Sequence, residues 1–171
     1  MLAFGGVNSG IYKFLLVLHI LSAIVGLGAV MLNGLYAVQT QKRPGPAGRA
    51  VFEANLYVSQ IAEYVIYAIA VLGIALIYTS DKVWKFSQTW TWLSLLLYLI
   101  AIGISHAVMR PGARRMLELM TEMEEAPPPA GGAPPQAAQM QEIGQRLGIG
   151  GATLDIIVVV ILFLMIWKPG V

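Results

Sequence analysis

The chain has 171 residues, of which 57% are hydrophobic and only 12% are charged, and its mean hydropathy is +0.71. This composition excludes an ordinary soluble domain, and the absence of cysteine excludes disulfides, thiol catalysis and thiolate metal sites. The net charge of +2 is too small and too scattered for a nucleic-acid-binding surface, so we do not expect nucleic acid as a partner.

Four hydrophobic segments each approach the roughly 20 residues that are needed to cross about 30 Å of hydrocarbon as a helix. They predict one all-α membrane domain over residues 1–171, a polytopic bundle with spans at about 12–36, 57–79, 88–109 and 149–167. The first segment is longer than the apolar region of about 7 to 15 residues in a signal peptide, so we expect it to be retained as a helix.

The segments between the spans give further predictions. A helix should restart near Ala47, and the third helix should end at Arg110-Pro111-Gly112, because proline disfavours a helical conformation in the residue before it. Residues 113–125 place three methionines on one face and predict an amphipathic helix at the membrane interface, with no metal site. The Pro/Gly-rich residues 126–139 predict a linker, followed by a short helix from Met140 that leads into the fourth span.

Charge and aromatic residues predict the orientation. Seven Lys and Arg residues lie after spans one and three, whereas four lie on the other side. The positive-inside rule therefore predicts a multi-pass protein with both termini outside. All four tryptophans and Phe86 fall at the predicted outer boundary, where indole rings prefer the headgroup layer.

One face of the first span combines polar and small residues at offsets of three and four: His19, Ser22, Gly26, Ala29 and Asn33. This face is expected to point into the bundle, and two interpretations of it stay open. The small residues can let a neighbouring helix approach, with Tyr98 as the hydrogen-bond partner of His19. Alternatively, His19 binds a ligand or handles protons.

A second polar group follows the second and third spans. Glu63 and His106 are predicted to lie at similar depth, and the whole predicted cluster is Asn33, Gln60, Glu63, Tyr64, His106, Arg110 and Asp155. It either satisfies its own charges and locks the bundle, or forms a substrate or proton site. Asp155 alone would complement the amino end of the fourth helix.

Helical rise places His19 about 10 Å and His106 about 24 Å below the outer boundary. Two axial imidazoles must approach one iron within a few ångströms, because metal–nitrogen bonds are near 2 Å. The two histidines are therefore not expected to share a haem.

The opening from Lys13 to His19, with Gly26 and Gly28 behind it, and the ending from Phe163 to Gly170 resemble a bacterial family of predicted integral membrane proteins of unknown function. The leucine-histidine start is also similar to copper-resistance D-like membrane proteins and to a four-helix membrane oxidase of haem biosynthesis. In that oxidase the first-span histidine is associated with haem b, so the resemblance implies haem b at His19. The oxidase's further basic residues inside the membrane have no counterpart in this chain.

Three hypotheses follow, and the resemblance places the protein in the bacterial inner membrane. The preferred one is a non-enzymatic accessory or structural subunit that contacts the lipid bilayer and packs against other membrane subunits or a second copy. The second is a haem b-binding redox or haem-pathway protein that uses His19; no other cofactor is expected. The third is a proton or solute carrier that uses Glu63 and His106.

Overall fold

The computed structural model describes residues 6–126 and 135–171, and within these ranges the chain is helical, with no β-strand. The elements in chain order are α1 (Gly10–Met31), α2 (Asn33–Gln41), α3 (Pro46–Thr79), α4 (Thr89–Ile104), a π-helical segment (Ser105–Met109), α5 (Arg110–Glu125) and α6 (Pro135–Trp167).

Within the described residues, four helical stretches are long and apolar enough to cross a membrane: Gly10–Gln41, Pro46–Thr79, Thr89–Glu125 and Gln136–Trp167. The predicted all-α, four-span architecture is therefore confirmed. Each stretch has at least 32 residues, which is a dozen more than the roughly 20 that hydrocarbon requires. The first stretch consists of α1 and α2, which are separated by a turn at Leu32.

The predicted end of the third helix at Arg110-Pro111-Gly112 is wrong, because helical structure continues to Glu125. The five π-helical residues widen the backbone immediately before the proline, and the N–H of Arg110 donates to the carbonyl of Ser105. Pro111 then lies at the start of α5 and has no N–H to donate to the preceding turn, a missing bond that a π-helical segment can accommodate.

The start of the fourth helix also differs from its prediction. α6 begins at Pro135 rather than Met140, so residues 135–139 of the predicted linker are helical. The rest of the Pro/Gly-rich segment, 127–134, lies outside the described residues.

The predicted amphipathic helix is present as part of α5, and protein covers part of its apolar face. Leu119 is fully buried, and the Met116 side chain packs over Gly144, where an added Cβ would lie 3.6 Å from Cε. The contact between Met116 and Gly144 joins α5 to α6. The location of the helix at the membrane interface stays a prediction.

The chain divides into two compact units. Unit 1 comprises Met1–Val30, Ser59–Leu99 and Ile157–Val171, and it contains His19, Glu63 and the four tryptophans. Its core includes the buried side chains of Tyr12, Ala62, Leu76, Trp90, Val158 and Leu164.

Unit 2 comprises Met31–Val58 and Ile100–Ile156 and contains His106, Arg110 and Asp155. Glycines bring its α5 and α6 close together. A Cβ at Gly112 would lie 2.9 Å from Cδ2 of Leu147, so any larger residue there would displace that leucine.

Candidate functional site around His19

The imidazole of His19 joins α1 to the backbone of α3. Its Nδ1 lies 3.0 Å from the carbonyl oxygen of Ile69. A carbonyl can only accept a hydrogen bond, so Nδ1 carries the proton and donates it. Gly73 follows Ile69 by one helical turn, and a Cβ there would lie 3.2 Å from Cε1 of His19. The glycine therefore provides the space through which the ring reaches the carbonyl.

Gly26 makes a second close contact between the same helices. It is buried, and an added Cβ would lie 3.0 Å from Cγ1 of Ile66 and 3.4 Å from Cγ1 of Val65. His19 and Gly26 are two turns apart on α1, so they face α3 together. This is the close helix contact that the small residues of the first span predicted.

The predicted hydrogen bond between His19 and Tyr98 is wrong. The hydroxyl of Tyr98 instead donates to the carbonyl of Ile66, at 3.4 Å. α1 and α4 thus both bond to the backbone of α3, at carbonyls only three residues apart. A carbonyl oxygen that accepts a helical hydrogen bond still has a second lone pair, so it can accept from a neighbouring helix as well. A hydrogen bond between membrane helices stabilises the folded protein by about 0.6 kcal/mol on average.

The carboxylate of Glu63 accepts a hydrogen bond from the hydroxyl of Tyr67, one turn along α3. This bond lowers the penalty for placing a carboxylate within a membrane-spanning helix. The ring of Tyr67 also meets that of Tyr64 edge-on, at 6.5 Å between centroids. The sequence places Tyr67 on the same polar stripe of the second span as Glu63, at a spacing of four residues, although Tyr67 is not in the predicted cluster.

The predicted polar cluster is divided between the two units. Gln60, Glu63 and Tyr64 belong to unit 1 and follow one another along α3, whereas Asn33, His106, Arg110 and Asp155 belong to unit 2. Within unit 2, Nδ1 of His106 lies 2.9 Å from the carbonyl oxygen of Ile102. The coupling of Glu63 with His106, and with it the carrier hypothesis, stays a prediction.

Three further polar residues of unit 1 are buried on α4, and the sequence analysis did not select them. Trp90, Thr91 and Ser94 are 6%, 5% and 3% exposed. Their Nε1, Oγ1 and Oγ atoms have no hydrogen-bond partner in the described part of the chain. The spacing of four residues from Trp90 to Ser94 and from Ser94 to Tyr98 places the three on one helix face, which is how the sequence could have identified them.

No group of three histidine, cysteine, aspartate or glutamate residues that could hold a metal occurs within residues 6–126 and 135–171. His19 nevertheless has a ring nitrogen that could hold the iron of a haem. Histidines that bind metals usually donate their other ring N–H to a carbonyl or carboxylate, which fixes the tautomer. Because Nδ1 donates to Ile69, Nε2 is the nitrogen with a lone pair for iron.

Comparison with known protein families gives a match over most of the chain. A family described as "Predicted integral membrane protein (DUF2269)" matches residues 13–169, which confirms the resemblance to predicted integral membrane proteins. No curated protein and no solved structure matches the chain. The similarities to copper-resistance D-like and haem-biosynthetic proteins therefore stay predictions.

Proposed function

The chain belongs to the DUF2269 family of predicted integral membrane proteins, and we propose that it is a non-enzymatic subunit that packs against another membrane protein through one face of α3. The observation that carries this proposal is the exposure of Gln60 and Tyr64 on a membrane-spanning helix. Gln60 is exposed, and Tyr64 is 75% exposed.

Two other exposed tyrosines of α3 have a simpler explanation. Tyr57 and Tyr78 are 21 residues apart, which corresponds to about 31 Å along a helix and matches the thickness of the hydrocarbon layer. They fit the aromatic belts at the two membrane interfaces. Gln60 and Tyr64 fall between these belts, whereas the exposed side chains of α1 at Phe14, Val17 and Leu21 are apolar.

Polar groups inside hydrocarbon are strongly unfavourable unless they are hydrogen-bonded. The amide of Gln60 and the hydroxyl of Tyr64 make no hydrogen bond within the described ranges. A partner helix with polar groups at the same depth would satisfy both. The competing explanation is that both side chains extend towards the headgroups, because helical side chains lean towards the N-terminus of their helix.

Photo-crosslinking in native membranes tests the proposal. A photoreactive residue at Gln60 or Tyr64 should capture protein, and one at Val17 or Leu21 should capture only lipid. The mass of each adduct distinguishes a second copy from a different subunit. Tyr64→Phe, which removes only the hydroxyl, should weaken co-purification in mild detergent, whereas Val17→Leu should not. Capture of lipid alone at all four positions would contradict the proposal.

A second candidate function is haem b binding at His19, which the hydrogen bond from Nδ1 to Ile69 favours. Bound haem would supply one-electron redox chemistry. The Ile69 carbonyl would hold the Nδ1 proton, and Gly73 would leave room for the ring to keep its orientation. His19 would hold the iron through Nε2, and we expect that His106 would not.

The absorption spectrum of protein purified from haem-replete cells tests this candidate. A Soret band should be present, and His19→Ala should abolish it, whereas His106→Ala should leave it largely intact. A colourless preparation would rule out haem without affecting the crosslinking result.

For either function, we place the protein in a bacterial inner membrane with both termini outside.

A further inference from the structure

One face of α3 packs inside unit 1 and has a regular spacing. The residues of this inner face follow one another at offsets of four and three: Ala62, Ile66, Ile69, Gly73 and Leu76. Ala62 and Leu76 are buried. The residues between them meet α1, at Gly26 and His19. The inner face therefore already has its partner helix within the chain.

The opposite face of α3 repeats this spacing and is exposed. This outer face consists of residues that each lie two positions after a residue of the inner face: Tyr64, Ala68, Val71, Ala75 and Tyr78. A step of two residues turns a helix by about 200°, so the two faces point in nearly opposite directions. Tyr64, Val71 and Tyr78 are 75%, 67% and 76% exposed, and the alanines between them are partly exposed. The outer face thus alternates large and small side chains.

Contact with lipid explains the exposure of the outer face but not its alternation in size. On α1 of the same unit, the exposed residues at offsets of three and four are all large: Phe14, Val17, Leu21 and Ile24. Lipid chains pack against any apolar side chain, whereas small residues in a membrane helix let a second helix approach. Ala68 and Ala75 leave space between larger side chains, and that space suits the side chains of another helix.

A second copy of the chain fits the outer face in both shape and polarity. When two helices pack with a left-handed crossing, each contact residue fits between four residues of the facing helix. Two copies inserted in the same orientation have parallel α3 helices, so Tyr64 and Val71 of one copy would flank Ala68 of the other. A hydroxyl both donates and accepts, so two Tyr64 hydroxyls at one depth can bond to each other. No other subunit is then needed to satisfy them.

We propose that the outer face of α3 binds a second copy of this chain, with the two α3 helices parallel around a two-fold axis. This inference rests on the proposed function, because it identifies the partner of the face that contains Tyr64. The large side chains of each copy fit beside Ala68 and Ala75 of the other, at the crossing angle of about 20° that is common between membrane helices. Both copies contribute the same face, so association ends at a dimer.

Disulfide crosslinking in native membranes tests the dimer, because the chain contains no cysteine and each introduced thiol is unique. Tyr64→Cys, Ala68→Cys and Val71→Cys each place a thiol on the outer face. Val17→Cys and Leu21→Cys are matched controls on the exposed face of α1. A disulfide requires two Cβ atoms within about 4.5 Å, so in a symmetric pair it forms only at residues beside the two-fold axis.

We expect each outer-face cysteine to give at least about tenfold more crosslinked dimer than either control cysteine. Equal yields at all five positions would indicate random collision and would overturn the proposal. Absence of dimer at the outer face, with photo-crosslinking of a different protein at Gln60 or Tyr64, would exclude the second copy and leave the proposed function intact. Absence of dimer with capture of lipid alone would overturn both.

A second measurement does not depend on thiol chemistry. Ala68→Leu fills the space that Tyr64 and Val71 of the other copy would flank, so the dissociation constant of the dimer in mild detergent should rise about tenfold. Val17→Phe adds bulk to the exposed face of α1 and should leave that constant unchanged. An Ala68→Leu variant that melts and dimerises like the unaltered protein would overturn the proposal.

Discussion

Gly73 leaves the space that the imidazole of His19 fills, since a Cβ at position 73 would lie 3.2 Å from Cε1 and 3.7 Å from Nδ1. The ring cannot withdraw freely, because Nδ1 is bonded to the carbonyl of Ile69 on the same helix. Gly73→Ala should therefore stretch this hydrogen bond or separate α1 from α3. We expect a destabilisation of about 1–3 kcal/mol, typical of overpacking, measured as a lower melting temperature in detergent.

Gly28→Ala is the matched control, because no atom outside its own neighbourhood lies within 4 Å of a Cβ at that position. It should leave the melting temperature unchanged or raise it slightly, since alanine favours helix. Equal effects of the two substitutions would show that the His19–Gly73 contact does not stabilise the protein.

The contact between His19 and α3 was predictable from the sequence only in part. The spacing of His19 and Gly26 predicted the face of α1 that meets another helix, because helical periodicity determines which residues share a face. The partner of His19 was missed because it is a backbone carbonyl, and every residue has one. Which carbonyl accepts the bond depends on the position of α1 along the axis of α3, and the local sequence does not specify that position.

The continuous helix through Pro111 has a different cause. Proline ordinarily predicts a helix boundary, but a π-helical segment directly before it can reorganise the hydrogen bonds. Whether the chain ends the helix or widens it depends on packing beyond the proline, such as the contact between Gly112 and Leu147. For Ser94 the sequence does contain a signal, its spacing of four residues from Trp90 and from Tyr98, but spacing alone does not show which face of α4 is buried.

Single cysteines also test the orientation. Lys42→Cys lies in the loop after α2, and Lys85→Cys lies in the loop between α3 and α4; both lysines are exposed. A membrane-impermeant maleimide applied to intact cells should label Lys85→Cys and leave Lys42→Cys unlabelled until the membrane is permeabilised. The reverse pattern would show that the termini lie inside.

Lys168 should stabilise unit 1 through its cation–π contact with Trp84. That indole also donates from Nε1 to the hydroxyl of Tyr12, at 2.8 Å, so the contact connects the end of α6 to α1 through one ring. Lys168→Met keeps the length and removes the charge. It should lower stability by about 1 kcal/mol and change the tryptophan emission, whereas Lys168→Arg should preserve both. If Lys168→Met matches the unaltered protein in both measurements, the charge is not stabilising.

In unit 2, Arg49 near the start of α3 forms an ion pair with Glu124 near the end of α5, at 3.0 Å between Nε and Oε2, although the Nε–H does not point at that oxygen and makes no hydrogen bond in the described ranges. Arg49 also pairs with Glu53, at 3.4 Å. The Glu124 side chain is 20% exposed and that of Glu53 is 47% exposed, so water screens the first pair less. Glu124→Gln should therefore destabilise the protein more than Glu53→Gln, whose pair lies within one helix and is worth about 0.3–0.5 kcal/mol.

A double-mutant cycle measures the first pair directly. Arg49→Gln, Glu124→Gln and the combined variant should give a coupling free energy of about 0.5–1 kcal/mol from melting in detergent. The same cycle with Glu53→Gln should give a smaller value, because both side chains of that pair already have access to water and lie on consecutive turns of α3. Additive losses for Arg49 and Glu124 would show that the 3.0 Å contact does not hold α3 to α5.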